Sequence, residues 1–389
     1  MNIDLSICLC IIFCLLLKIE TIESKPQKTD NSNIKIATST EDDLVYLQNN
    51  MIKLGINKSK GCGITYLAST ENGVNVINHY DMGREIQASF YGGPDTYVGP
   101  DGQVCKWGAF DHWPWNPIAC GDQFGNQSPI LQFEKDDAAG FITCSITPLQ
   151  WACNNIPCEC SINVKYSLDE MAVRASVELV NNRVSDKNAY PAYDQEFPAV
   201  YTNYFLTRLV GYIGSKPWTN DAMSEFQTGF NPSQGKWVPG AISTLTEPYL
   251  IFATSGSPIN VRKEMSESTG INISSNQSIS NNFRTKIQSK EDFANLRDCF
   301  DQWKDVDFAV GVHNSDPRLT SFLGGYDDAG DSCKAHVNDP GMLATAGYIA
   351  PVTKIPIEWD EIISYEYSVV TGTFDTVRSK IYSMHSSQD

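Results

Sequence analysis

Apolar and polar residues alternate along much of the chain, which is the pattern of strands with one buried face. Segments 160–167 and 171–180 show it most clearly, and the turn Leu168-Asp-Glu lies between them. Two alternating runs joined by a short polar turn predict a β-hairpin. The alternating residues are Ile162, Val164 and Tyr166, then Val173, Ala175, Val177 and Leu179.

Further alternating or apolar runs are separated by turn clusters rich in Gly, Pro and Asp, such as GGPD and KDDAAG. No linker or internal repeat divides the chain. We therefore expect a mainly β fold, one large antiparallel β-supersandwich with few helices. The runs lie at residues 64–67, 73–77, 130–133, 141–146, 249–253, 307–312 and 362–370.

Two segments have helical spacing of their apolar residues. Residues 41–54 are predicted as a helix, with partial strand as the alternative, and residues 375–384 as a helix near the C-terminus that Thr373 caps. The apolar positions are Leu44, Leu47, Met51 and Leu54, then Val377, Ile381 and Met384.

An apolar run of 13 residues at 5–17 is too short to span a bilayer and has the length of a signal-peptide core. The preceding residues include no Lys or Arg, so a signal anchor is the alternative. With cleavage after Ser24, residues 1–24 are a signal peptide, 25–44 a polar leader and 45–389 a single domain. We expect a secreted, extracellular protein with no membrane contact after cleavage.

Cysteine usage fits an oxidising compartment. Of 12 Cys, three lie in the apolar run, and the other nine allow up to four disulfides and one free thiol. Cys299 and Cys333 form an isolated pair that could be bridged. A zinc knuckle at Cys153, Cys158 and Cys160 is the weaker alternative, because no His is nearby. Asn-X-Ser sequons, which favour a glycoprotein if the source is eukaryotic, occur at Asn57, Asn126, Asn272 and Asn276.

The formal net charge of −17 argues against a nucleic-acid partner, because an acidic surface repels phosphate. The same charge favours neutral glycans over uronate polymers. No P-loop, GxGxxG or GxSxG motif occurs. Asp327, Asp328 and Asp331 could hold calcium, but their spacing is not that of an EF-hand, so a solvated acidic loop is favoured and no cofactor is expected.

Residues 79–122 combine aromatic side chains with acids, amides, His and Arg, as a sugar site requires. Aromatic rings cover the apolar faces of pyranoses, and fixed polar groups bind the hydroxyls. The alternative is that these aromatics cap the β core. Predicted substrate-binding residues are Asp81, Tyr91, Trp113, Trp115, Asn116 and Asp122, with Trp218 from the segment GSKPWT.

Asp194 and Glu196 lie two apart and would share one side of a strand. Repulsion between two carboxylates raises one pKa, which suits general acid or base catalysis. The alternative is a structural pair neutralised by Arg84. His79 and His112 are further candidates for proton transfer, or ordinary hydrogen-bonding residues.

The ordered set NHYDMGREIQASFY, WPWNPIACGDQFGN, DQEFPAVY, GSKPWT, YIAPV and ISYEYSVVTGTFDTVRSKIY resembles secreted proteins of the galactose-mutarotase-like β-sandwich superfamily. The resemblance implies a carbohydrate-binding supersandwich. It also implies catalytic roles for His79 or His112 together with Glu196, with Arg84 as an orienting group. The spacing differs from that of the mutarotases, so their reaction is not carried over.

The sequence therefore predicts a secreted carbohydrate-binding protein, most simply a glycoside hydrolase-like enzyme that uses carboxylate acid/base chemistry. A polysaccharide lyase that uses Arg, His or Tyr is one alternative. A non-catalytic lectin-like module is another, and a structural extracellular protein is a third.

Overall fold

The computed structural model describes sixteen stretches of the chain, all within one compact unit that covers residues 36–389. They are residues 43–78, 83, 85–91, 102, 104–105, 115–182, 190–203, 206, 208–212, 223–226, 229–231, 236–238, 251–254, 307–314, 320–326 and 346–386.

Twenty strands and one α-helix are defined in these stretches. The strands are β1 (Leu44–Gln48), β2 (Ile52–Asn57), β3 (Gly63–Ser69), β4 (Ile86–Ser89), β5 (Pro117–Ile118), β6 (Ile130–Asp136), β7 (Phe141–Ile146), β8 (Leu149–Gln150), β9 (Cys160–Asp169), β10 (Ala172–Asn181), β11 (Tyr190–Tyr201), β12 (Arg208–Tyr212), β13 (Met223–Phe226), β14 (Gly229–Asn231), β15 (Lys236–Val238), β16 (Ile251–Thr254), β17 (Ala309–Asn314), β18 (Thr320–Tyr326), β19 (Ala346–Ile357) and β20 (Ile362–Gly372). The helix is α1 (Phe374–Ser386).

Two nine-stranded antiparallel sheets dominate the fold. The first has the order β1-β2-β3-β4-β11-β19-β18, with β5 and β8 joined to it at β4. The second has the order β13-β12-β16-β17-β20-β10-β9-β7-β6, and β14 and β15 form a separate ribbon. This architecture confirms the prediction of a mainly β, antiparallel sandwich.

The hairpin predicted from the clearest alternation is present as β9 and β10. Val177 lies opposite Val164 and Leu179 opposite Ile162, and all four side chains are buried. The turn is tighter than predicted, because Asp169 and Ala172 already pair and only two residues connect the strands. Local alternation was sufficient here because both strands bury the same face.

The helix predicted for residues 41–54 is wrong, and the strand alternative is confirmed for residues 44–48 and 52–54. Residues 44–57 form the hairpin β1–β2, in which Leu47 lies directly opposite Leu54. Asn49 closes the turn, because its Oδ1 accepts hydrogen bonds from the backbone N–H groups of Met51 and Ile52. A separation of seven residues places Leu47 and Leu54 on one face of a hairpin with a tight turn as readily as on one face of a helix.

The predicted C-terminal helix is present as α1. Val377 and Ile381 are fully buried, and the Thr373 side chain accepts a hydrogen bond from the Thr376 backbone N–H at 3.3 Å, as a capping residue should. The helix packs against β17 and β20. Within the described residues, no helix is long and apolar enough to cross a membrane.

The main core includes the inward side chains of β20, among them Ile363, Tyr365 and Val369. Phe197 of β11, in the first sheet, stacks on Tyr365 of β20, in the second, with ring centroids 4.1 Å apart. This contact joins the centres of both sheets. The predicted strand at residues 73–77 is the exception among the described runs, since only Ile77 makes an isolated bridge there, to Thr202.

Three disulfides are present in the described residues: Cys62–Cys144, Cys105–Cys153 and Cys158–Cys160. The first connects the start of β3 in the first sheet to β7 in the second. Cys120 is a buried free thiol. Cys299 and Cys333 lie outside the described residues, so their predicted bridge stays a prediction.

Two of the four sequon asparagines are described, and both make side-chain hydrogen bonds. Asn57 is only 5% exposed, and its Oδ1 accepts from the backbone N–H and the hydroxyl of Ser59. Asn126 donates both amide hydrogens, to Asp122 and Asn154. Glycosylation stays a prediction.

Candidate functional site

Glu196 lies in the middle of the first sheet. Strand β11 pairs with β4 on one side, where Glu196 lies opposite Ser89, and with β19 on the other, where it lies opposite Val352. The register of both ladders shifts immediately after Glu196, next to the cis peptide bond between Phe197 and Pro198. Irregularities of this kind re-aim side chains within a sheet.

The Glu196 side chain reaches the face of the sheet that points away from the main core. Its Oε1 accepts a hydrogen bond from the Tyr348 hydroxyl of β19. Tyr348 belongs to a small apolar cluster separate from the main core, whereas the next residue, Ile349, belongs to the main core. Successive side chains of a strand point to opposite faces, so Glu196 and Tyr348 share the outer face.

Burial raises the pKa of the Glu196 carboxyl above its ordinary value, because the ionised form loses water. Hydrogen bonds from Tyr348 and Ser89 favour the ionised form and oppose this shift without cancelling it. Glu196 is 5% exposed. It therefore holds its proton to higher pH than a carboxyl in water, which is the property of a general acid.

An aromatic surface adjoins this carboxyl. The Tyr201 ring packs against Tyr348, with centroids 4.7 Å apart and planes inclined by 34°. Tyr201 is only partly buried, and its ring contacts Tyr348, the residue that donates a hydrogen bond to Glu196. Neither tyrosine was named as a site residue from the sequence. The sequence contains a signal for both tyrosines, because they lie in two of the motifs that carry the family resemblance, DQEFPAVY and YIAPV. The strands that contain these motifs pair with each other.

Tyr91 lies at the end of the same region and is held by its backbone. Its N–H donates to the Gln195 side chain at 2.7 Å, and the Gln195 amide donates back to the Tyr91 carbonyl oxygen. Gln195 precedes Glu196 and is fully buried. This pair of hydrogen bonds fixes the chain beyond β4 against β11, next to Glu196.

The sequence predicts three substrate-binding residues that are buried in the structure. They are Trp115, Asn116 and Asp122. Trp115 is 1% exposed and belongs to the main core. The Asn116 amide donates to the Phe90 carbonyl oxygen at 2.5 Å. For Trp115, this burial favours the alternative that the side chain caps the core.

The Asp122 carboxylate is engaged entirely in fixing a loop. Oδ1 accepts from the backbone N–H groups of Phe124 and Asn126, and Oδ2 accepts from the Asn126 amide and the Asn155 backbone N–H. Asp122 is 0% exposed. A carboxylate that already accepts four hydrogen bonds has little capacity left for a substrate.

A second buried acid, Glu85, lies immediately before β4. It forms an ion pair of 2.6 Å with Lys60. Burial raises the pKa of the neighbouring Cys120 thiol well above its ordinary value, and the negative charge of Glu85 raises it further. The thiol is therefore unreactive as a nucleophile.

Several predicted site residues are not placed by the structure. Asp194 lies in β11 with its backbone opposite Lys354, but its side chain is outside the description. No group of three or more His, Cys, Asp or Glu side chains that could hold a metal occurs among the described residues. The acidic loop at Asp327, Asp328 and Asp331 falls outside them. So do His79, Asp81, Arg84, His112, Trp113 and Trp218.

No protein-family model and no curated protein sequence matches the chain. Solved structures similar to it include a galactose mutarotase related enzyme from Lactobacillus acidophilus, at 11% identity and a TM-score of 0.41, covering 85% of this chain and 97% of the other. A galactose mutarotase-like protein from Clostridium acetobutylicum has 9% sequence identity and a TM-score of 0.40, and the match covers 85% of this chain and 95% of the other. A 4-alpha-glucanotransferase from Thermococcus litoralis has 11% sequence identity and a TM-score of 0.36, and the match covers 84% of this chain and 37% of the other.

Structural neighbours of the chain therefore include galactose mutarotase-like proteins. At these identities and TM-scores the likeness carries no information about substrate or reaction.

Proposed function

We propose that the protein is a secreted carbohydrate-active enzyme of the glycoside hydrolase type, with Glu196 as its acid/base group. The observation that carries the proposal is the Glu196 carboxyl, which has a raised pKa and accepts a hydrogen bond from Tyr348, whose ring packs against the partly exposed Tyr201. A proton donor beside an aromatic surface is the combination that a glycosidic bond requires. The disulfides Cys62–Cys144 and Cys105–Cys153 support the secretory route.

In this mechanism Glu196 donates its proton to the bridging oxygen of the glycosidic bond as the bond to the anomeric carbon breaks. Water adds its hydroxyl to that carbon, and its proton passes to a second carboxylate. Asp122 is a poor candidate for this base, because its oxygens already bind four donors. Asp194 and Asp81 are the remaining candidates from the sequence.

One observation supports β-elimination as a second candidate. The Tyr348 hydroxyl contacts Glu196, and a tyrosine can act as the base that removes the proton α to a uronate carboxylate. In that reaction the carboxylate of the substrate would be neutralised by a cation such as Arg84, and no water would be consumed.

The test is a screen of the purified protein against neutral and uronic-acid polysaccharides, read for new reducing ends and for absorbance of an unsaturated product. Hydrolysis gives new ends without the absorbance, and Glu196→Gln should abolish them. Glu178→Gln is the matched control, because Glu178 is exposed in β10 of the other sheet. Both signals together, lost in Tyr348→Phe, would establish elimination instead. Binding without either signal would overturn the enzyme proposal in favour of a lectin.

A further inference from the structure

A groove of about 310 Å³ opens on the second sheet, near the end of α1. Glu366 and Ser368 of β20 line it, and they alternate with the buried Tyr365 and Tyr367, so the groove lies on the face that points away from the main core. Glu196 and Tyr348 lie in the first sheet and do not line it. The groove is therefore distinct from the site described above.

Strand pairing arranges the lining residues in two neighbouring rows. One row crosses four strands, with His313 opposite Ser368, Ser368 opposite Arg174, and Arg174 opposite Ser167.

The next row contains Glu366, Ser176 and Lys165, in that order. With strands spaced by about 4.8 Å, the backbones of Glu366 and Lys165 are about 10 Å apart, with a serine hydroxyl between them.

The charged groups of the groove have unused hydrogen-bonding capacity. Among the described residues Glu366 forms no ion pair, and the Lys165 ammonium lies over the Phe141 ring at 4.4 Å rather than against a carboxylate. Arg174 uses Nε and Nη2 to bind Asp169, which leaves Nη1 available. The groove thus offers an acceptor on one side, donors on the other, and hydroxyls between them.

We propose that this groove is a second carbohydrate-binding site, which takes a neutral sugar unit through its hydroxyls. A hydroxyl both donates and accepts, so one sugar can donate to Glu366 while it accepts from Lys165 and Arg174. A simple anion would be repelled by the Glu366 carboxylate, and a simple cation would be repelled by the Lys165 ammonium. The volume is at the lower end of the range for small-molecule sites. The proposal extends the proposed function to a second site but does not require Glu196 to be catalytic.

The experiment uses the full mature protein carrying Glu196→Gln, titrated with maltose, cellobiose and lactose by calorimetry or NMR. Glu366→Ala and Lys165→Ala should each weaken binding of the preferred disaccharide by at least about tenfold, the usual effect of losing a hydrogen bond to a charged group. Glu178→Ala is the matched control, because it removes an exposed glutamate from the same sheet outside the groove. It should leave the affinity unchanged.

Three results would overturn the proposal: no disaccharide binds, the control variant weakens binding as much as the groove variants, or glucuronate or sulfate binds more tightly than every neutral sugar. Binding of a neutral sugar should also be nearly independent of ionic strength. An activity assay measures the loss of turnover in Glu196→Gln, whereas titration measures the loss of sugar binding in the groove variants. Failure of one proposal is therefore distinguishable from failure of the other.

Discussion

The Cys62–Cys144 disulfide should be a large contributor to stability, because it closes a loop of 82 residues between the two sheets. In the chain-entropy model, closing such a loop stabilises the fold by about 4.5 kcal/mol at 25 °C. The Cys158–Cys160 bridge closes a separation of only two residues, and the same model gives about 1.2 kcal/mol. Both pairs are buried, so replacing either by alanine removes two sulfur atoms from similar surroundings.

The assay compares the free energies of unfolding of two double variants, Cys62→Ala/Cys144→Ala and Cys158→Ala/Cys160→Ala, from guanidinium titrations of the oxidised proteins. The difference between them should be about 3 kcal/mol, since the cost of the lost sulfurs largely cancels. The Cys105–Cys153 bridge overlaps the longer loop, but the logarithmic dependence on length limits its effect to a few tenths of a kcal/mol. Equal stabilities, or the reverse order, would refute the reasoning.

Two further predictions concern single side chains. The pKa of Glu196 is higher in the folded protein than its unfolded-state value of about 4.5. The protonated carboxyl therefore stabilises the fold at a pH below the unfolded-state pKa, and this stabilisation is lost as the pH rises through the folded-state pKa. Melting temperatures of Glu196→Gln and the unsubstituted protein should therefore diverge in favour of the variant towards neutral pH; a constant difference would contradict this. Gly61 and Gly73 both have positive φ, but only at Gly61 would a Cβ overlap the Ala119 carbonyl. Gly73→Ala should cost about 1 kcal/mol and Gly61→Ala about 1–3 kcal/mol more, measured by denaturant unfolding; equal losses would show that the overlap is relieved.

The sequence predicted those parts of the fold whose pattern is local. The hairpin β9–β10 and the helix α1 bury one face each, so period-two and helical spacing were decisive. Residues 41–54 were assigned wrongly as a helix because the separation of Leu47 and Leu54 fits both a helix and a hairpin, and only the pairing of these two residues distinguishes them.

The candidate site was predictable only in part. Glu196 could be selected from its motif, but its pKa depends on its burial within a sheet that residues far along the chain complete. Tyr348 contacts it because β19 pairs with β11 across about 150 residues, and no local pattern records that pairing. Trp115 shows the opposite difficulty, since a tryptophan beside Asn and Pro looks the same in sequence whether it binds a sugar or fills the core.

The two last strands have a consequence for the order in which the chain acquires structure during synthesis. Strand β19 lies between β11 and β18 in the first sheet, and β20 lies between β17 and β10 in the second. Until residues 346–372 have been made, the second sheet has a gap at its centre, and in the first sheet β18 is separated from β11. Earlier strands would therefore wait with open edges, the condition in which β proteins aggregate and in which a chaperone is most useful.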